Sequence, residues 1–226
     1  MDLSTRLMAV ISELIMVPSE IQDKKLRQVF DAISDSHAMG SFLTMPDGSV
    51  HMTSKSHKAN VARYIIMKDR LVLSYEICEN SMSYYQSLMS DFLSAFSGIT
   101  GVSLFPVQGI TIRKLVNVAG IADSRDYLIK KVFSIDESRL APFKRPLHMF
   151  GTRILFPPTA ADQSTFEVKI ETALEDYKTF YLENKAMFPA PLDAAKGADL
   201  GPVIKKTDDF LNENIMGFIL GFAEGK

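Results

Sequence analysis

Apolar residues along the chain alternate with polar ones over short runs, and between those runs they recur every three or four positions. The first pattern marks strands with one wet face and the second marks helices with one apolar stripe. The opening "RLMAVISELIMV" carries both signals, because Leu7, Val10, Ile11, Leu14 and Ile15 also fit a helical stripe; it reads as a strand for consistency with the second half. "PSEIQDKKLRQVFDAIS" predicts a helix with Leu26, Val29, Phe30 and Ile33 on one face, and Ser19 with Gln22 three residues on as its reciprocal cap. "SFLTM" and "SVHMT" around Pro46-Asp47-Gly48 predict one hairpin, and "NVARYIIM" and "RLVLSYEI" around Lys68-Asp69 a second. Asn80 then caps a helix whose stripe is Tyr85, Leu88, Met89, Phe92, Phe96 and Ile99, ended by Gly98 and Gly101.

The second half starts the pattern again. "QGITIRKLVNV" predicts a strand with Ile110, Ile112, Lys114, Val116 and Val118 on one face and Thr111, Arg113, Leu115 and Asn117 on the other. A helix follows, capped by Asp123 with Asp126, its stripe formed by Leu128, Ile129, Val132 and Phe133. "MFGTRILF", "TFEVKIETAL" and "KTFYLENKAMF" predict three strands, and "GPVIKKTDDFLNENIMGFILGF" a closing helix buried through Phe210, Leu211, Ile215, Phe218, Ile219 and Phe222. The implied architecture is α+β: two β-α-β-β-β(-β)-α repeats whose antiparallel sheets carry helices packed on one face. The expected units are residues 1–102 and 103–226, packed as one compact body, with a short linker near "SGITGVS" and an exposed loop at "APLDAAKGADLG".

Composition narrows the function classes. Hydrophobic residues at 46% and charged residues at 23% describe an ordinary folded chain. The net charge of −2 divides as 9 basic against 11 acidic residues through position 100 and 16 against 16 beyond it, so neither half is a polycation and any contact with phosphates needs a local patch. One cysteine, Cys78, cannot form an internal disulfide; with no transmembrane run and no cleavable leader, a cytoplasmic protein is expected.

Four features bear on chemistry. His37, His51 and His57 lie within 22 residues, but the turn at Asp47-Gly48 separates them and Lys55 and Lys58 flank His57, so no metal site is expected. "RLAPFKRPLHMFGTR" places Arg139, Lys144, Arg145 and Arg153 among Phe143 and Phe150, the mix that suits phosphate contact and base stacking, although a water-facing connection with its phenylalanines tucked inward is the commoner reading. Thr111, Arg113 and Asn117 share a strand face and are the candidate ligand- or partner-binding residues, although a solvent-facing strand surface is the commoner reading of such a row, and the row Glu167, Lys169 and Glu171 reads as structural. Gly217 and Gly221 on the closing helix suit close packing on the sheet or on a second copy, hence a possible homodimer through that helix. No phosphate loop, dinucleotide fingerprint, nucleophile elbow or Cys-x-x-Cys pair occurs, so no catalytic residue and no cofactor is expected.

The stretches "FPVQGITIRKLVNV", following "FLSAFSGI", and "TDDFLNENIMGFILGF" resemble a sporadically distributed family of uncharacterised bacterial proteins that runs from an I-x-R-x-x-N strand to a closing amphipathic helix. Arg113 and Asn117 carry the likeness; the family's histidine early in the closing helix is absent, with Asn212 or Asn214 standing nearby. The resemblance implies no activity. The first half's element order is also similar to each repeat of the TATA-box-binding protein, an analogy of fold that brings no function with it. The sequence therefore predicts a non-enzymatic binding protein with a protein partner, with nucleic-acid binding through residues 139–153 as the alternative and an enzyme third.

Overall fold

In a computed structural model, residues 3–55 and 61–222 are described; His57 lies outside them. Nine strands form a single sheet: β1 (Leu3–Ile15), β2 (Met39–Thr44), β3 (Val50–Ser54), β4 (Val61–Ile66), β5 (Arg70–Glu76), β7 (Val107–Val118), β8 (Gly151–Phe156), β9 (Thr165–Thr172) and β10 (Thr179–Phe188). A short pair, β6 (Leu104–Phe105) with β11 (Leu192–Asp193), lies apart from it. The order is β2-β3-β4-β5-β1-β7-β10-β9-β8 and every neighbouring pair is antiparallel. The expected sheets of the two halves are thus one continuous sheet, joined where β1 pairs along β7 from Leu3↔Val118 to Ile15↔Val107.

From this seam each half runs outward and walks back. In the first, α1 (Asp23–Ile33) connects β1 to the outer edge and two hairpins return to β5, beside β1. In the second, a short α3 (Ser124–Asp126), continued by a π-helical turn over Tyr127–Val132, leads toward the opposite edge, and β8 and β9 return to β10, beside β7. The remaining helices are α2 (Met82–Thr100), α4 (Gly201–Asp209), a π-helical segment (Phe210–Ile215) and α5 (Met216–Gly221).

The helices lie on one face, where alternate strand residues meet them. Val10, Leu14, Leu73, Ile110, Ile112, Val168, Ile170 and Leu182 are fully buried there, together with Phe92, Phe96 and Ile204 from the helices, in one contiguous core that crosses the seam. The opening segment is a strand, and its helix-like spacing has a cause: a bulge between Leu7 and Ala9 shifts the alternation, so Ala9 and Val10 are consecutive and both buried.

Several local expectations are corrected. Helix α1 starts at Asp23 after Gln22, with no side-chain cap; Ser19 instead donates its backbone N–H to the Lys68 carbonyl. Helix α2 is entered at Ser81, not Asn80, and closes on Gly101 at φ +83°, whereas Gly98 is inside it. On the closing helix Leu211, Ile215 and Ile219 are buried, but Phe218 and Phe222 are exposed and stack edge to face on each other. Gly217 and Gly221 face open space, so neither serves close packing on the sheet. No described helix is long and apolar enough to cross a membrane.

Candidate ligand- and partner-binding face

With the helices confined to one side, the other face of the sheet is open, and register decides what it displays. One row runs Arg153, Lys169, Glu183, Arg113, Ala9, Glu76 and Val61 across seven strands. The next contains Leu155, Glu167, Lys185, Thr111, Ile11, Ser74 and Arg63. Opposite charges meet across strands: Arg153 with Glu167 at 2.6 Å, Lys169 with Glu183 at 2.7 Å, Arg113 with Glu183 at 2.6 Å, Arg70 with Glu13 at 2.7 Å and Arg63 with Glu76 at 3.6 Å. The face is a mosaic of paired charges with apolar residues between them, and among the described residues it offers no run of unpaired cations to a phosphate backbone.

Glu183 is the hub. Its side chain is 7% exposed and accepts from Arg113 Nε, from Lys169 Nζ and from the Tyr181 hydroxyl at 2.9 Å. Burial alone pushes this carboxyl up, but the bonds from Lys169, Arg113 and Tyr181 outweigh it and hold the group below the usual carboxylate range. Tyr181 is pushed up, chiefly by burial and then by its bond to Glu183. Arg113 spends Nε on Glu183, and its two terminal NH2 groups have no hydrogen-bond partner among the described residues.

Around these groups lies a cleft of about 540 Å³ at one end of the open face. Arg113, Lys169, Tyr181 and Glu183 form its polar floor; Leu115, Met149 and Leu174 form an apolar rim with Met8, and Arg6, Glu171 and Glu175 add charge at the edge. Leu174 is 60% exposed. Of the three residues expected to bind, all sit on this face of β7, but only Arg113 lines the cleft: Thr111 lies between Ile11 and Lys185, and Asn117 between Ser4 and Thr179.

The basic segment divides. Arg153 is on β8 and ion-paired with Glu167, away from the other three. Lys144 and Arg145 line a separate cleft of about 770 Å³, and Arg139 sits just upstream in a 3-10 turn (Glu137–Arg139). Phe150 packs against the core, as expected of it, whereas Phe143 is 72% exposed.

Of the three clustered histidines, His37 and His51 are described and have separate partners. His37 is buried with its Nδ1 against the Tyr64 hydroxyl at 2.5 Å, and His51 is on β3 with its Nε2 against Ser49 Oγ at 3.1 Å. No group of three or more metal-ligating side chains occurs among the described residues. Sequence reasoning gave no role to three buried polar side chains: Glu183 on the open face, and Lys114 and Asn184 on the helix-covered face. Lys114 Nζ reaches Asp208 at 2.5 Å and Asn212 at 2.8 Å, and Asn184 Nδ2 donates to the Thr207 carbonyl at 2.8 Å, so both tie the sheet to the closing helix. The signal was present for Asn184, a lone amide among Leu182, Ala186 and Phe188 at core positions.

No family model matches the chain, and no curated protein does. Among solved structures it is similar, at 8% identity, to the immunity protein TplEi of T6SS from Pseudomonas aeruginosa complexed with "L" peptide; the alignment covers 92% of this chain and 90% of that one at a TM-score of 0.22. A likeness of that grade carries no argument about fold or function.

Proposed function

We propose that this is a non-enzymatic binding protein that holds a protein partner on its open sheet face, with Arg113 as the anchor. The observation that carries the reading is the combination at the cleft: a guanidinium fixed by a buried carboxylate, with its outer edge unpartnered among the described residues and an exposed apolar rim around it. A fixed fork of this kind suits a carboxylate, and the rim suits the apolar residues beside it, so the occupant is a partner segment presenting Asp or Glu among large apolar side chains. The titratable groups of the floor support binding over acid-base chemistry. Glu183 is held ionised by three donors and Tyr181 is held protonated, so neither is poised to exchange a proton near neutrality.

Selection of a random peptide library on the immobilised protein tests this. Enriched peptides carry an acidic residue beside apolar ones, and they lose roughly tenfold in affinity on Arg113→Gln and on Leu174→Asp, the latter at a site where folding buries little. Peptides that hold both variants as tightly as the parent, or that shift amide resonances on the helical side only, would show the reading to be wrong.

A further inference from the structure

We propose a second and separate site: the cleft beside residues 140–148 takes a nucleotide unit, its base stacked on Phe143 and its phosphate held by Lys144 and Arg145. The space is about 770 Å³, within the range of small-ligand sites, with Ile129 and Leu140 among its apolar lining. Phe143 is 72% exposed, an aromatic face that the core does not use. The two cations that follow it have no ion-pair or hydrogen-bond partner among the described residues, unlike the cross-strand pairs of the sheet face. Lys144 is held at φ +50°, in the left-handed region.

The shelf beneath is fixed. Arg125 gives Nε and Nη2 to Asp123 and Nη1 to the Leu147 carbonyl, and its guanidinium lies 3.7 Å from the centre of the Tyr177 ring. Tyr177 in turn bonds His148 Nδ1 at 2.9 Å. Arg125 is thereby spent on structure, and Asp126, the carboxylate in the lining, is paired with Lys130, so the cationic charge left for a ligand is that of Lys144 and Arg145, with exposed Arg139 close upstream in sequence. An aromatic face beside unpaired cations is the pairing that holds single-stranded nucleotides without reading their sequence. The same chemistry is met by a free nucleotide and by one unit of a strand.

Fluorescence anisotropy of a labelled short oligothymidylate at low salt, with thymidine monophosphate as competitor, tests it. Binding is expected, with log K falling against log salt at a slope of about −1.5 to −2 for two or three phosphate contacts. Phe143→Ala should weaken binding roughly tenfold, Lys144→Ala with Arg145→Ala should bring the slope toward zero, and Arg153→Ala should change neither. Displacement by the mononucleotide identifies a free nucleotide as the source, and displacement by oligonucleotides alone identifies a strand; either supports the site. The proposal falls if anisotropy stays flat at low salt, if Phe143→Ala binds as the parent does, if Arg153→Ala abolishes binding, or if polyglutamate or anionic vesicles compete as well as the oligonucleotide. Because all four altered side chains are exposed, unchanged melting curves verify that the variants are folded.

Discussion

Glu183 and His37 are opposite answers to the same problem, an ionisable side chain out of water. Glu183 stays charged because Lys169, Arg113 and Tyr181 donate to it, and its folded pKa therefore lies below the unfolded one. The sign follows: its stabilisation is complete above the unfolded carboxylate range and disappears as pH falls through the depressed folded value. Glu183→Ala strands two cations side by side, and because they are about one-third exposed the expected cost is about 2 kcal/mol, less than for a fully buried pair. Urea unfolding at neutral pH measures it, and a variant as stable as the parent would remove Glu183 as the hub. His37 has no such support; burial lowers its pKa, with Asp91 opposing weakly, and its Nε2 has no partner. Below pH 6.5 the unfolded chain binds a proton that the folded chain resists, so stability declines from there down to the folded pKa. Unfolding free energies between pH 7 and 5 should slope downward in the parent and flatten in His37→Leu; equal slopes refute this. At this scale the sequence was partly legible. The shared face of Thr111, Arg113 and Asn117 follows from period-two alternation, but the bond from Arg113 to a residue 70 positions away depends on cross-strand register, which no local pattern encodes.

The elements were read well where one face of each is wet. Strand β9 shows strict alternation in sequence and in burial, and the hairpin at Pro46-Asp47-Gly48 has its Gly48 at φ +80° as the turn requires. Reading failed where tertiary contacts override local preference. The closing helix looks continuous, yet it passes through a π-helical segment at Phe210–Ile215, and Asn184 meets the Thr207 carbonyl just before that change. Phe218 and Phe222 continue the apolar stripe but run beyond what the sheet covers. Lys114, on the isoleucine face of β7, made little sense in isolation; opposite it stand Asp208 and Asn212. Lys114→Ala leaves Asp208 facing the core with no cation, a loss expected at about 2 kcal/mol given that Asp208 keeps some solvent. The loss belongs to this contact, so amide exchange should accelerate over residues 205–219 and not in α2. Uniform acceleration through both helices would refute it.

The two halves meet through backbone, and that decides how the molecule comes apart. Strand β1 pairs with β5 on one side and β7 on the other, and β7 pairs with β10, so separating residues 1–102 from 103–226 would uncover the full hydrogen-bonding edges of two long central strands. The apolar core is shared as well: Val10 and Leu14 belong to the same buried cluster as Ile110, Ile112 and Leu182. Neither half has a boundary of the kind that lets domains unfold alone, a polar linker crossed by few contacts, and a single core of this size is within the usual limit for one domain. Thermal unfolding followed by residue-resolved NMR should therefore give one midpoint for probes in β4 and in β9, with calorimetric and van't Hoff enthalpies equal. Ile112→Ala makes the test sharper, since Ile112 is fully buried at the seam and its truncation costs about 3 kcal/mol. That loss should lower the midpoint for both probes together, because weakening the seam weakens the only state in which either half has its edge covered. If β4 and β9 instead melt at separate temperatures in the variant, the halves are autonomous units and the continuous sheet is a docked interface between them.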